Sequence, residues 1–214
     1  MPARLLRWGI GVALVVWVGV SVGQPRFWLF AAILMAIASY VSAAADPTLF
    51  EERRRPGGPT IDAGALRAIR LCAMIELVIA LCDIGLFHWS DTVPPSARAP
   101  AMAIFATSSA LAARAIVANR FFSIAVRLQA DRGHHVVREG PYGIIRHPGY
   151  LGMMVAAPAA ALALGSWWAL LPALVYSALI ARRAAIEDRY LREHLDGYAD
   201  YARSVRFRLM PGIW

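Results

Sequence analysis

The chain has 214 residues, 59% of them apolar and only 17% charged, with a mean hydropathy of +0.52. Soluble domains run nearer to about half apolar and about a quarter charged, so the excess points to lipid as solvent and excludes disorder, collagen and a disulfide scaffold. All 22 basic residues are arginine, against 14 acids, and on so apolar a chain this excess marks membrane orientation rather than nucleic-acid binding.

Taken in chain order, the apolar runs Leu5–Val22, Phe27–Ala45, Leu71–Trp89 and Ala99–Ala118 each approach the ~20 residues that cross a ~30 Å hydrocarbon layer. They predict four transmembrane helices. Arg4 and Arg7 stand at the start of the first run, before its apolar core, as in a secretory signal, but Gly23-Gln24-Pro25-Arg26 leads straight into the second without a cleavage pattern, so the first is read as retained. The loop from Asp46 to Gly64 holds Pro47, Pro56, Gly57, Gly58 and Pro59 and predicts an irregular connection. Cys72 and Cys82 would sit roughly 15 Å apart on one helix, beyond the ~7 Å reach of a disulfide, and read as buried small side chains.

Tyr150–Ala181 is uncharged throughout. As one helix it would measure about 48 Å, too long for a single crossing. Gly165-Ser166, followed by Trp167-Trp168, supplies a break, so a helical hairpin is expected there. Arginines cluster at the start of the first run, in the 46–70 loop, in 119–147 and after Arg182, whereas the opposite loops hold only Arg26 and Arg98. That asymmetry places both termini in the cytoplasm. The expected fold is an all-α integral membrane protein of four N-terminal transmembrane helices, a C-terminal helical hairpin over 148–181 and a cytoplasmic helix. Residues 1–118 form the membrane region with its cytoplasmic loop 46–64, and residues 119–214 the cofactor-binding and catalytic region.

Candidate chemistry lies late in the chain. His134, His135 and His147 fall in 119–150, which ends in Arg146-His147-Pro148-Gly149-Tyr150-Leu151-Gly152. Pro148 suits the first position of a helix, with His147 as its cap, and the free N–H groups there would suit a carboxylate. The alternative is a belt of interfacial Arg, His and Tyr anchors. Arg183 and Glu187 are spaced to share a helical face, while Asp188–Arg192 and Arg189–Glu193 read as solvated pairs. Glu76 and Asp83 are acids inside the third run, and pairing with Arg114 is expected of them over proton transfer. His134-His135 lacks companion ligands, so no metal is expected, and no GxGxxG opens a nucleotide-binding unit.

The series Gln129, His134-His135-Val136-Val137-Arg138-Glu139-Gly140-Pro141-Tyr142, Arg146 to Gly152, Arg183 with Glu187, Tyr198 with Tyr201 and Arg208-Leu209-Met210-Pro211 resembles the isoprenylcysteine carboxyl methyltransferase family over Asn119–Trp214. Asp46 to Arg53 also looks like its bacterial members. The resemblance implies an S-adenosylmethionine-dependent enzyme of the bacterial inner membrane. It implies cofactor contacts at Gln129, His134, His135, Val136, Val137, Tyr142, His147, Pro148, Gly149, Tyr150 and Glu187. Arg183 matches the acceptor position, and Arg183 and Glu187 are the implied catalytic pair. The implied partners are the lipid bilayer and a lipophilic or prenylated substrate, with no nucleic acid and no metal.

The expected reaction is carboxyl O-methylation of an isoprenylcysteine or isoprenoid-like acid. A carboxylate is already ionised at pH 7 and needs no base, and Arg183 would hold it in a charge-assisted pair. The alternatives are N-methylation of a phospholipid amine and a non-enzymatic membrane scaffold. An amine acceptor requires a general base, for which Glu187, His147 and Asp188 are the nearby candidates.

Overall fold

The computed structural model describes residues 16–58 and 60–212, and these contain helices, turns and no strand. The helices are α1 (residues 16–22, its described part), α2 (Pro25–Ala44), α3 (Pro47–Arg54), α4 (Ala63–Cys82), α5 (Pro95–Ala118), α6 (Pro148–Leu164), α7 (Leu170–His194) and α8 (Tyr198–Ser204). α2, α3, α5 and α6 each carry proline in the first turn, where its missing N–H costs nothing and its fixed φ favours the helix. Asp46 caps α3 by accepting a hydrogen bond from the Thr48 N–H at 2.8 Å. α6 ends on Gly165, whose φ of +87° is the left-handed cap geometry, with its N–H donating to the Ala161 and Leu162 carbonyls.

The membrane architecture differs from the one expected. Two of the described helices, α2 and α5, are long and apolar enough to cross a membrane, in place of four N-terminal spans and a hairpin. The first expected run, Leu5–Val22, lies largely outside the described residues. The third is displaced, because α4 starts at Ala63 and holds Arg67, Arg70 and Glu76 among its 20 residues. It stops at Cys82, where a π-helical turn over Asp83–Phe87 ends on His88 in the left-handed region. The expected hairpin does break at Gly165. However, α6 has only 17 residues, and α7 continues as one helix through Arg182 into a charged half ending at His194.

The two acids of α4 and its π-turn do not pair with Arg114, which is exposed. Asp83 is satisfied by neutral donors: the Ser90 N–H at 2.9 Å and the hydroxyls of Ser90 and Ser166 at 2.5 Å each. This ties the end of α4 to the α6–α7 break. Glu76 lies in the wall of an apolar groove shared with Phe30, Phe105, Met153 and Tyr176.

α5 and α6 pack at very short range through small side chains. Buried Ser108, Ala112 and Ala115 on α5 meet Gly149 and Gly152 on α6. A Cβ at Gly152 would stand 2.5 Å from the Ser108 carbonyl oxygen and 2.7 Å from the Ala112 nitrogen, so only glycine permits this crossing. Above it, Phe30 stacks on Phe105 at 4.6 Å within a core that includes Ile84, Met102 and Leu164. A second cluster of Ile69, Tyr150, Ile180, Ala184 and Leu209 lies where α4, α6, α7 and the C-terminal segment meet.

Because the atoms facing Gly152 are backbone, the clash of an added side chain is relieved only by moving α5 away from α6. Gly152→Val is expected to destabilise the protein by about 1–3 kcal/mol, read as a lowered Tm in detergent. An unchanged Tm would contradict this packing.

Candidate active site

The turn before α6 and the polar half of α7 meet at one carboxylate. Asp188 is fully buried. Its Oδ1 accepts from Arg146 Nε at 2.7 Å and the Tyr198 hydroxyl at 3.0 Å, and lies 3.4 Å from His147 Nε2. Its Oδ2 accepts from Arg192 Nε at 3.1 Å, Arg208 Nε at 3.2 Å and Arg146 Nη2 at 3.3 Å. Burial pushes this carboxyl up, but the hydrogen bonds from His147 and Arg146 outweigh it and hold the group well below the usual carboxylate range. The Asp188–Arg192 pair expected from spacing is therefore present, but its acid is buried rather than solvated.

Arg146 extends the same network. Its Nη1 donates to the carbonyls of Val205 and Arg206 at 2.7 and 2.8 Å, and the N–H groups of Arg146 and His147 donate to Phe207 and Arg208, each at 3.0 Å. The C-terminal segment is thus stapled beneath the start of α6. Tyr201 adds a bond from its hydroxyl to the Tyr142 carbonyl at 2.7 Å.

Glu187 precedes Asp188 and points about 100° away around the helix. Its Oε2 accepts from the Tyr150 hydroxyl at 2.5 Å, and that hydroxyl accepts from Arg183 Nε at 3.1 Å. Arg183 and Glu187, spaced for one face, are linked through Tyr150 rather than directly. Arg183 is buried; its Nη2 donates to the Ile124 carbonyl at 2.5 Å and its Nη1 lies 3.8 Å from Asp62 Oδ2. Neither Arg183 Nη1 nor Asp62 Oδ2 has a hydrogen-bond partner among the described residues.

Glu187 faces a cleft of about 440 Å³, its open mouth included, that also takes in His134, His135, Val136, Val137, Tyr142 and His147. Seven of the residues expected at a cofactor site therefore converge there. Asn119, Phe122, Leu191, Leu195 and Tyr198 complete much of the wall. The other expected residues stand behind it. Gln129 is buried under the cleft floor, donating from Nε2 to the Phe121 carbonyl at 2.8 Å and accepting from Arg132, while its N–H donates to His134 Nδ1 at 3.3 Å. It orients His134. Pro148 and Gly149 are buried in the first turn of α6, and a Cβ at Gly149 would fall 2.5 Å from the Phe122 ring. Tyr150 reaches the site by its hydroxyl, and its ring stacks on His147 at 5.7 Å. Arg183 lies behind Tyr150.

The arginine in the cleft wall, Arg146, is paired with Asp188. His134 is pushed down to about 4, first by burial and then by His135, Arg127 and Arg132, so its imidazole is neutral at pH 7. Arg127 is itself held by Glu52 at 2.8 Å and Asp131 at 2.8 Å. Among the described residues no group of three or more His, Cys, Asp or Glu is placed to hold a metal ion.

Sequence reasoning missed Asp62 and the Ile124 carbonyl as partners of Arg183, and missed the central place of Asp188. Asp62 sits in a loop with no periodicity to pair it with α7. Asp188 had a signal in principle: Arg146 and Arg208 flank apolar motifs, and a buried guanidinium requires a carboxylate.

Residues 98–197 match the model of the phospholipid methyltransferase family. The match covers just under half of the chain, from α5 into the turn before α8, and includes Arg146, Tyr150, Arg183, Glu187 and Asp188. The chain thus carries a methyltransferase domain of a type that is not specific to isoprenylcysteine.

Removing the Asp188 charge leaves three arginines facing a neutral group. Asp188→Asn is expected to cost about 3–5 kcal/mol, measured by thermal or denaturant unfolding; a change below about 1 kcal/mol would contradict the network. For His134, the folded value of about 4 lies below the unfolded 6.5. Its contribution to stability is complete above pH 6.5 and is lost as pH falls towards 4. Tm should fall across that window, and His134→Gln should flatten the slope.

Proposed function

We propose that the protein is a membrane-associated, S-adenosylmethionine-dependent methyltransferase whose acceptor is the amine of a phospholipid headgroup. The observation that carries this reading is the charge state of the site. Arg183, the cation that would attract an anionic acceptor, already faces Asp62 at 3.8 Å and reaches Glu187 through Tyr150. Glu187 keeps its second oxygen without a hydrogen bond among the described residues while lining the cleft. The match of residues 98–197 to the phospholipid methyltransferase family supports the same acceptor.

The cleft suits a compact, sulfonium-bearing donor. Val136, Val137, Leu191 and Leu195 offer apolar walls, Glu187 offers an anion for a cationic group, and His134 stays uncharged beside it. S-adenosylmethionine, when bound, supplies an electrophilic methyl group. Gln129 orients His134, and the Asp188 network fixes His147 and Tyr198.

An amine is protonated at pH 7 and has no lone pair to offer until the proton leaves. In this reading Glu187 takes that proton on its free oxygen. Tyr150, donating to the other oxygen, and Arg183 behind it hold the carboxylate in place. Positioning and exclusion of water supply the remainder of the rate. The exposed apolar side chains of α2, among them Trp28, Leu29 and Leu34, form a surface suited to a bilayer, from which a lipid acceptor would come.

A carboxylate acceptor is the second reading, favoured by the lack of a hydrogen-bond partner on Arg183 Nη1. The two are separated by supplying labelled S-adenosylmethionine with phosphatidylethanolamine or farnesylcysteine in detergent micelles. Incorporation into phosphatidylethanolamine is expected, and incorporation into farnesylcysteine alone would overturn the proposal. Glu187→Gln should lower kcat on the phospholipid by about 100-fold or more. Its rate should recover as pH rises towards the amine's own pKa, a recovery that a carboxylate acceptor would not show.

A further inference from the structure

We infer that Arg53 is the phosphate-binding residue of the acceptor site, so that the substrate is an aminophospholipid with its phosphate against Arg53 and its amine against Glu187. This rests on the N-methylation reading and adds to it a residue and a feature of the substrate.

Arg53 lies in the last turn of α3, beside the exposed Arg54 and Arg55, and the guanidinium groups of Arg120, Arg127 and Arg132 are occupied. Arg127 is held by Glu52 and Asp131. Arg120 faces Asp46 at 3.6 Å, and Arg132 donates to Thr48 Oγ1 at 2.6 Å and to the Arg120 carbonyl at 2.9 Å. Arg53 is half-buried yet has neither a carboxylate nor a hydrogen-bond partner among the described residues. Its guanidinium carbon lies over the face of Phe122, 5.9 Å from the ring centroid.

That contact points at the active site. Phe122 lines the same cleft as Glu187, and its ring lies 5.8 Å from that of Tyr150, whose hydroxyl is bonded to Glu187. An aromatic face orients a guanidinium without using its N–H donors, so the planar fork of Arg53 stays available. Leaving such a group half-desolvated and unpaired is costly unless an anion completes it. Guanidinium groups match phosphate geometry in bidentate fashion. In an ethanolamine phospholipid the phosphate and amine are joined by two methylene carbons, so one headgroup carries both the anion that suits Arg53 and the cation that suits Glu187. The site of opposite polarity, with Arg183 as anion receptor, would leave Arg53 without a use.

The test compares Arg53→Gln, Arg53→Lys and the wild type on phosphatidylethanolamine and on oleylamine, a lipid amine without phosphate. Arg53→Gln is expected to lower the ratio of the two kcat/KM values at least tenfold, chiefly through KM for the phospholipid, with Arg53→Lys intermediate. Calorimetric titration of dihexanoyl-phosphatidylethanolamine into protein saturated with S-adenosylhomocysteine should show the same loss without turnover. The Kd for S-adenosylhomocysteine should stay within about twofold of wild type, which also reports that the variant is folded. A wild type that methylates no phospholipid would overturn the N-methylation reading itself. A wild type active on phospholipid with an unchanged ratio in Arg53→Gln would overturn the phosphate assignment alone. A selective loss of S-adenosylhomocysteine affinity would overturn it in favour of the donor's carboxylate.

Discussion

The site depends on a single buried negative charge. Asp188 is fully enclosed and receives contacts from Arg146, His147, Arg192, Tyr198 and Arg208. A carboxylate out of water is tolerated only when its lone pairs are filled, and here donors come from four separate places in the chain. The turn before α6, the helix α7, the start of α8 and the C-terminal segment can satisfy Asp188 only in one mutual arrangement. That requirement positions the cleft walls more than the apolar contacts do, since the cluster of Leu191, Leu195, Tyr198 and Tyr201 is small.

The adjacent acid does different work because a helix turns about 100° per residue. Asp188 faces the network and is held ionised by it. Glu187 faces the cleft, with one oxygen bonded to Tyr150 and the other open. Two neighbouring carboxylates are thus separated into a fixed anchor and an available acceptor of protons or cations. The same geometry requires α6 to lie against α5 at glycine distance, because Tyr150 belongs to the turn that Gly149 and Gly152 bring close to Phe122 and Ala112.

Much of this was legible as composition and spacing. α2 and α5 follow from the long apolar runs Phe27–Ala45 and Ala99–Ala118, and the break at Gly165 from a glycine among apolar residues. The membrane count was not legible in the same way. Run length does not reveal that α4 begins upstream with Arg67 and Arg70, nor that Asp83 finds hydroxyl partners on Ser90 and Ser166 and turns the chain there. At the site, the motif residues His134 to Val137, Tyr142, His147 and Glu187 gather in one cleft, whereas Gln129, Pro148 and Gly149 support it from below. Asp188 looked like a surface partner of Arg192 because periodicity registers only neighbours on the same helix. Its other partners come from Arg146 and Arg208, which are distant in sequence, and Asp62 was hidden from Arg183 for the same reason.

The distribution of charge around Tyr150 also bears on the acceptor. Arg183 faces Asp62 at 3.8 Å, a carboxylate it shares with Arg182 at 3.4 Å, so Asp62 offsets part of the Arg183 charge. What remains near the cleft is the open carboxylate oxygen of Glu187 on one side and the unpaired guanidinium of Arg53 over Phe122 on the other. A simple anion would be drawn to one pole and repelled by the other, and a simple cation likewise. A headgroup with a phosphate and an ammonium a short span apart is matched at both ends, and it needs no rearrangement of the buried Arg183–Tyr150–Glu187 chain. Under the proposed function, the pairing of Arg183 with Asp62 is therefore what shifts the site from selecting an acid to selecting a zwitterion.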